Sequence, residues 1–252
     1  LYNQSLRKHG RIMAVVSTKF RGKEPGIVED VERGAAPDIQ PRPWQGTLTF
    51  GSWFYKRDRP IRHNARTVIE SLTDIISKNG NLLLNVELLP DGTVPPEQKP
   101  IYDAIGAWVN LNAEAIYATH PWNVYGDNLN SHLKALEGSG IGEADLEAAK
   151  KHKGSHFNER TIDSPPYGHE EVRFTVKDDK LFVFVLNPDA GPIELPSLGL
   201  NSPWKPGKIT AIRLIGEDAR IAFEQGNDAL VLQVPKKRPS SYTAVFEVEG
   251  AL

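Results

Sequence analysis

The chain has 252 residues, with 30 Lys plus Arg against 32 Asp plus Glu and a formal net charge of −2, so it carries no electrostatic footprint for nucleic acid or an anionic membrane surface. Its longest wholly apolar runs, Leu181-Phe182-Val183-Phe184-Val185-Leu186 and Ile12-Met13-Ala14-Val15-Val16, fall far short of the ~20 residues that span a bilayer. The absence of Cys excludes disulfides, thiolate nucleophiles and Cys-ligated zinc, while 39% hydrophobic residues suffice for a packed core, and a prior of ~150 residues per domain suggests two modest domains.

The first ~120 residues read as alternating strands and helices, the pattern of a parallel sheet with helical crossovers. Residues 1–9 suit a helix. Three strands are predicted: 11–17 with the run Ile12-Met13-Ala14-Val15-Val16, the aromatic-rich 47–55, and 81–86 with Leu82-Leu83-Leu84. Continuous apolar runs suit strands buried on both faces. Between the second and third strands, Val68, Ile69, Leu72, Ile75 and Ile76 recur at helical spacing, and Lys78-Asn79-Gly80 supplies a basic last turn and a left-handed stop. After the third strand Pro90-Asp91-Gly92 makes a turn, Pro95-Pro96 opens a further helix, and Ile101, Ile105, Trp108 and Val109 form its buried stripe.

From 127 to 160 the composition turns polar, with an amphipathic piece at 133–136, the glycines Gly138, Gly140 and Gly142, and a charged helix over 143–153, the marks of an insertion or linker. Beyond Pro165-Pro166 the period becomes two: Val172-Phe174-Val176, Leu181-Val183-Val185, then 209–215, 229–234 and 242–248. Short alternating strands at this spacing predict an antiparallel β-sandwich. The expected division is therefore 1–120, a linker over 121–165, and a sandwich over 166–252.

A closed barrel of eight β/α units takes roughly 250 residues, so three strands in ~120 residues point to the last β/α units of a larger TIM-like barrel. Residue 1 is Leu and no signal-peptide pattern opens the chain, from which we expect upstream β/α units, about five of them for a barrel parent.

In parallel α/β domains the site lies at the carboxyl ends of the strands. There the chain offers Lys19 and Arg21, a long loop with Glu24, Glu29, Asp30, Glu32 and Arg33, then Trp53, Phe54 and Tyr55, and finally Asn85 and Glu87. Sugar hydrolysis needs a carboxyl to protonate the leaving oxygen, a second carboxylate opposite, and an aromatic wall. A loop carboxylate, a cation, Trp44 and Trp53 could supply one half of that set. Acidic loop residues are more often solvated surface, and strand Trp more often core; for Glu87 a structural and a functional role balance evenly. His152 and His156 stand at i, i+4, but Gly154 breaks the helix between them, so no metal site is predicted. Gly138-Ser139-Gly140-Ile141-Gly142 follows no apolar strand and lacks the Lys-Ser/Thr ending of a nucleotide loop; it reads as a turn, and no cofactor is expected. Lys236-Lys237-Arg238 reads as a solvated hairpin edge.

Longer words carry a resemblance. Glu32-Arg33-Gly34, Ile39-Gln40-Pro41-Arg42-Pro43-Trp44-Gln45 and Gly51-Ser52-Trp53-Phe54-Tyr55 resemble the catalytic-domain signature of the α-L-fucosidases of glycoside hydrolase family 29. The run from Leu72 through Asn79-Gly80-Asn81-Leu82-Leu83-Leu84-Asn85-Val86, with Asp91-Gly92-Thr93 and Pro96-Glu97-Gln98, resembles that family's final β/α unit, and Asn112-Ala113-Glu114-Ala115-Ile116-Tyr117-Ala118-Thr119 its exit from the barrel. The likeness is strong over about 10–126 and weaker in the sandwich.

The resemblance implies a (β/α)8-like barrel followed by a β-sandwich, and retaining hydrolysis of terminal α-L-fucose from glycans without metal or cofactor. It implies Glu32 as general acid/base with Glu29 in reserve, Lys19 against the sugar or nucleophile, and Trp53 and Trp44 as aromatic contacts. The family's nucleophilic Asp, and the His residues that grip fucose, would lie upstream of Leu1, so the chain alone is expected to be inactive. Family habit implies export; oligomeric state is not specified. After Asn85-Val86 the family usually continues Gly-Pro, where this chain has Glu87-Leu88, so the pocket rim is expected to differ. Two other readings remain: a carbohydrate-binding module without hydrolysis, and a related glycosidase for another sugar.

Overall fold

A computed structural model describes residues 1–19, 26–32, 36–57, 61, 63–129 and 167–252. After helix α1 (Tyr2–His9), strands β1 (Val16–Thr18), β2 (Ile27–Glu32), β3 (Trp44–Thr49) and β4 (Gly80–Asn85) form a parallel sheet in sequence order. Helix α2 (Ala65–Ile76) joins β3 to β4, and α3 (Lys99–Leu111) and α4 (Ala113–Ile116) follow. Asn64 starts α2 with a reciprocal capping box through Thr67, which satisfies two amide donors that helix geometry leaves open. Past its end, Asn79 takes the left-handed conformation with φ 69°, a residue earlier than the glycine expected there. Gly80 serves proximity instead: a Cβ would lie 2.6 Å from both Ile75 and the Trp44 ring.

Three strand expectations need correction, the first being the strand expected over 47–55, which runs over Trp44–Thr49 instead. Residues 12–15 are not a strand; Ile12, Met13 and Val15 are exposed. Because β1 can pair only where a neighbour runs beside it, it begins at Val16, opposite Ile27, the first residue of β2. Conversely, Glu29, Asp30 and Glu32 were expected in a loop and lie in β2. In β2, Val31 packs with Trp44 and Ile75, on the side that faces α2, so by the two-residue period Asp30 and Glu32 share the opposite face.

The sheet faces differ. Trp44, Leu48, Leu82 and Leu84 pack with residues of α2 and α3, whereas alternation places Gln45, Thr47, Thr49, Asn81 and Asn85 on the other, mainly polar face with Asp30 and Glu32, together with the apolar Val28 and Leu83. The expected burial of hydrophobic runs on both faces therefore holds for only one of them.

The C-terminal region contains β5 (Val172–Lys177), β6 (Lys180–Val185), β7 (Gly191–Leu195), a 3-10 turn (Pro196–Leu198), β8 (Ala211–Leu214), β9 (Phe223–Gln225), β10 (Leu230–Val234) and β11 (Ala244–Glu249). They form antiparallel sheets of order β5-β6-β11-β8 and β7-β10-β9. Val172, Phe174, Leu181, Val183, Phe246 and Val248 meet Ile193, Leu195, Leu230 and Leu232 in the core between them. The opposite face of the four-stranded sheet presents Phe182, Phe184 and Val245 to Ile69, Trp108 and Ile116 of the helices. The helices are thus a layer with a sheet on either side. At that junction Arg173 Nε donates to Asp74 Oδ1 at 2.7 Å, Lys78 Nζ to Asp74 Oδ2 at 2.8 Å, and Arg173 also pairs with Glu171 at 3.1 Å, all buried.

Candidate active site

The carboxyl ends of four adjacent parallel strands bring together side chains far apart in sequence. Glu32 closes β2, and its Oε2 accepts a 2.5 Å bond from Lys19 Nζ, just past the end of β1. The same ammonium lies 5.2 Å from the centroid of the Trp53 ring, beyond the end of β3, close enough for the ring quadrupole to attract it. Carboxylate, cation and aromatic face therefore converge. With side chains of Lys19 and Glu32 at 51% and 33% exposed, their pair adds little stability; its consequence is placement.

Asp30 accepts from Thr47 Oγ1 at 2.6 Å. Nothing in its composition singled out that bond, but the two-residue period of Ile27–Glu32 would have put Asp30 on the face of Glu32. Glu29 lies on the opposite face by the same alternation, beside Thr18 in the ladder.

Trp44 does not join this group. It is 2% exposed at the starting end of β3, packs with Ile75 and Ala36, and its Nε1 donates to the Lys78 carbonyl at 2.9 Å. This corrects the expected sugar contact: an indole with its apolar surface and its single donor already used inside the core presents nothing to a ligand.

At the end of β4, Asn85 Nδ2 approaches the Ser52 carbonyl at 3.3 Å. Glu87 is 7% exposed, accepts from the Ser52 amide with Oε1, and accepts from Gln98 Nε2 at 2.9 Å with Oε2. Gln98 Oε1 in turn accepts from Tyr102 Oη at 2.8 Å. Burial, reinforced by the Glu87 charge, pushes the Tyr102 phenol up to about 12, so it donates throughout the ordinary pH range. The Glu87 side chain was weighed evenly between roles from sequence; its bonding partners were not legible there, because they come from the β3 end and the start of α3.

Arg21, Glu24 and Arg33, the paired His152 and His156, and the Gly138–Gly142 turn lie outside the described residues. Among the described residues no three His, Asp or Glu side chains gather as a metal site would require, and no helix is long and apolar enough to cross a membrane.

Against known proteins, residues 2–114 match the family model described as Alpha-L-fucosidase. Over that stretch, somewhat less than half of its length, the chain is similar to the α-L-fucosidases. Tissue α-L-fucosidase of Bos taurus is 41% identical over 75 residues, 29% of this chain and 16% of that protein. Plasma α-L-fucosidase of Homo sapiens is 31% identical over 111 residues, 42% of this chain and 24% of its own length. Among solved structures, Thermotoga maritima α-fucosidase in complex with fucose superposes with a TM-score of 0.64 at 25% identity, covering 97% of this chain and 46% of the other. The chain thus spans less than half the length of these α-L-fucosidases, and its similarity to the Thermotoga structure extends through both the parallel and antiparallel sheets.

Proposed function

We propose that the chain is the C-terminal portion of a retaining α-L-fucosidase, which removes terminal α-L-fucose from glycans. The convergence of Glu32, Lys19 and Trp53 at parallel strand ends carries the reading, because it joins an acid/base candidate, an orienting cation and an aromatic wall within the stretch that matches the family. In this reading residues 1–120 are the last β/α units of a (β/α)8-like barrel, 121–165 a linker and 166–252 a β-sandwich. The polar face of β2–β4 lines the barrel interior, and sequence outside these 252 residues supplies the other strands and the nucleophilic Asp.

The reaction is a double displacement. The Asp carboxylate attacks the anomeric carbon while Glu32 gives its proton to the departing glycosidic oxygen, leaving a fucosyl ester. Glu32, now a carboxylate, takes a proton from water, and the resulting oxygen nucleophile attacks the anomeric carbon and releases the Asp. Such chemistry places the two carboxyl groups about 5–5.5 Å apart in the assembled site. Lys19 holds the Glu32 carboxylate between displacements, and Trp53 offers a flat apolar face to the C6 methyl side of fucose.

The packing of Phe182, Phe184 and Val245 on the helices favours a supporting role for the sandwich. A glycan-retaining sandwich without hydrolysis is the competing outcome, and residues 166–252 would then bind fucosylated glycan on their own.

The test is turnover of an aryl α-L-fucoside by the full-length polypeptide containing this chain, beside its Glu32→Gln variant and with an aryl β-galactoside as control. Loss of turnover on a poor leaving group, restored in part by azide, supports both activity and the acid/base role. Undiminished activity in the variant overturns the Glu32 assignment, and turnover of only the galactoside overturns the sugar.

A further inference from the structure

We propose that Glu87 is a positioning residue, whose buried carboxylate fastens the 51–53 segment to the start of α3 and thereby sets the place of the Trp53 ring in the site. This rests on the fucosidase reading for its effect on catalysis, although the fastening itself does not.

Both carboxylate oxygens are engaged, one by the Ser52 amide and the other by the Gln98 side chain. A carboxylate held so, at 7% exposure, faces peptide and amide donors in place of a sugar. The amide it receives belongs to the residue immediately before Trp53. The segment is tied from β4 a second time, since the Phe50 amide donates to the Asn85 carbonyl at 3.3 Å. At its other end Glu87 reaches a residue that is itself anchored: Gln98 is 3% exposed, stands at the N-cap of α3, and receives the Tyr102 hydroxyl. The Tyr102 ring returns to the segment, 4.7 Å from the Phe50 centroid. Glu87, Gln98, Tyr102, Phe50 and Ser52 thus close a ring of contacts behind Trp53.

Gly51 fits the same device. A Cβ at that position would lie 3.1 Å from Glu87 Oε1, so the backbone passes the carboxylate at a distance that a larger residue would disturb. Removing Glu87 would leave the Ser52 amide and Gln98 Nε2 without their acceptor inside the protein, a far costlier state than replacing both partners together.

The experiment uses the full-length enzyme with Glu87→Ala, Glu87→Gln, and the exchange pair Glu87→Gln with Gln98→Glu. Kinetics with an aryl α-L-fucoside are read beside amide hydrogen exchange across 50–54. In Glu87→Ala, KM rises about tenfold with kcat little changed, the pattern of lost uniform binding, and the Ser52 amide exchanges at least ~10-fold faster. Glu87→Gln sets two amide donors against each other and is impaired. The exchange pair restores one donor and one acceptor, returning both KM and exchange toward wild type. Unchanged KM and exchange in the single variants overturns the proposal. So does a drop in kcat with azide rescue, which would make Glu87 a catalytic carboxylate. Should Glu87→Ala fail to fold, the single and paired Gln variants decide the matter. If the wild type does not hydrolyse fucosides, the functional reading fails, while the exchange rates still report whether Glu87 holds the segment.

Discussion

Two tryptophans separated by nine positions divide between the core and the candidate site. Trp44 is sealed among Ile75, Ala36 and the Lys78 carbonyl, and Trp53 stands under the Lys19 ammonium at the strand ends. Truncating them should produce opposite phenotypes. Trp44→Ala is expected to cost about 3–5 kcal/mol of stability, the range for large buried aromatics, and, under the proposed function, to leave KM for an aryl α-L-fucoside unchanged in the folded fraction of the full-length polypeptide. Trp53→Ala, at a half-buried ring, should cost less stability than Trp44→Ala, yet raise KM in the full-length polypeptide under the proposed function. Chemical denaturation and steady-state kinetics on the same two proteins distinguish the roles. Sequence reading could not make this separation: both residues sit in recognisable words, and only the three-dimensional packing tells which ring is already covered.

At the level of elements, legibility followed how clearly periodicity and punctuation agreed. Helix α2 could be read because Val68, Ile69, Leu72, Ile75 and Ile76 repeat at helical spacing and Asn79 ends the run; its cap was not noticed. Replacing Asn64 by Ala should lower stability by about 1 kcal/mol, which for a chain of this size lowers Tm by roughly 2–4 °C and is measurable by thermal unfolding. Strand β2 was hidden because Glu29, Asp30 and Glu32 made it read as loop; charge at a strand end is where site chemistry overrides the usual hydrophobic pattern. The β7 and β9 strands were also missed. Pro192 lies in β7, which sits at an edge of the β7-β10-β9 sheet, where a missing amide donor is tolerated, and β9 has only three residues. The candidate site could be proposed from three residue types at expected strand ends, and the structure brings Lys19, Glu32 and Trp53 together there. Its supports were not, because Glu87, Gln98 and Ser52 meet only through the fold.

Across the whole molecule, the helical layer is joined to the antiparallel sheet by apolar packing and by one buried charge cluster. Burial works to raise the Asp74 pKa, but the charges of Lys78 and Arg173 and their hydrogen bonds outweigh it and hold the carboxyl at about 2. Burial conversely lowers the Lys78 pKa, despite Asp74. A carboxylate whose folded pKa lies below its unfolded value of 3.8 stabilises the fold fully above that value and loses its contribution as pH falls toward 2. The contribution is about 2 kcal/mol. In denaturant unfolding, the stability gap between wild type and Asp74→Asn should therefore be widest near neutrality and shrink below pH 4. Arg173→Leu should cost about 3–5 kcal/mol, because it removes the buried positive charge that Asp74 and Glu171 share and leaves the cluster with an excess of buried negative charge; changing the cluster to apolar residues of matching volume should recover much of that loss.

The position of β11 has a consequence for how the polypeptide is made. Although it is the last strand described, it lies inside its sheet, between β6 and β8, and it supplies Phe246 and Val248 to one side and Val245 to the other. Trp108 Nε1 also donates to the Thr243 carbonyl, 2.8 Å away, just before it. During synthesis, which proceeds from the N-terminus, neither the sandwich core nor the outer side of the helical layer can close until this strand has left the ribosome. A nascent chain stalled before residue 244 would still expose both apolar surfaces, and that exposure is what chaperones and proteases recognise in an unfinished product.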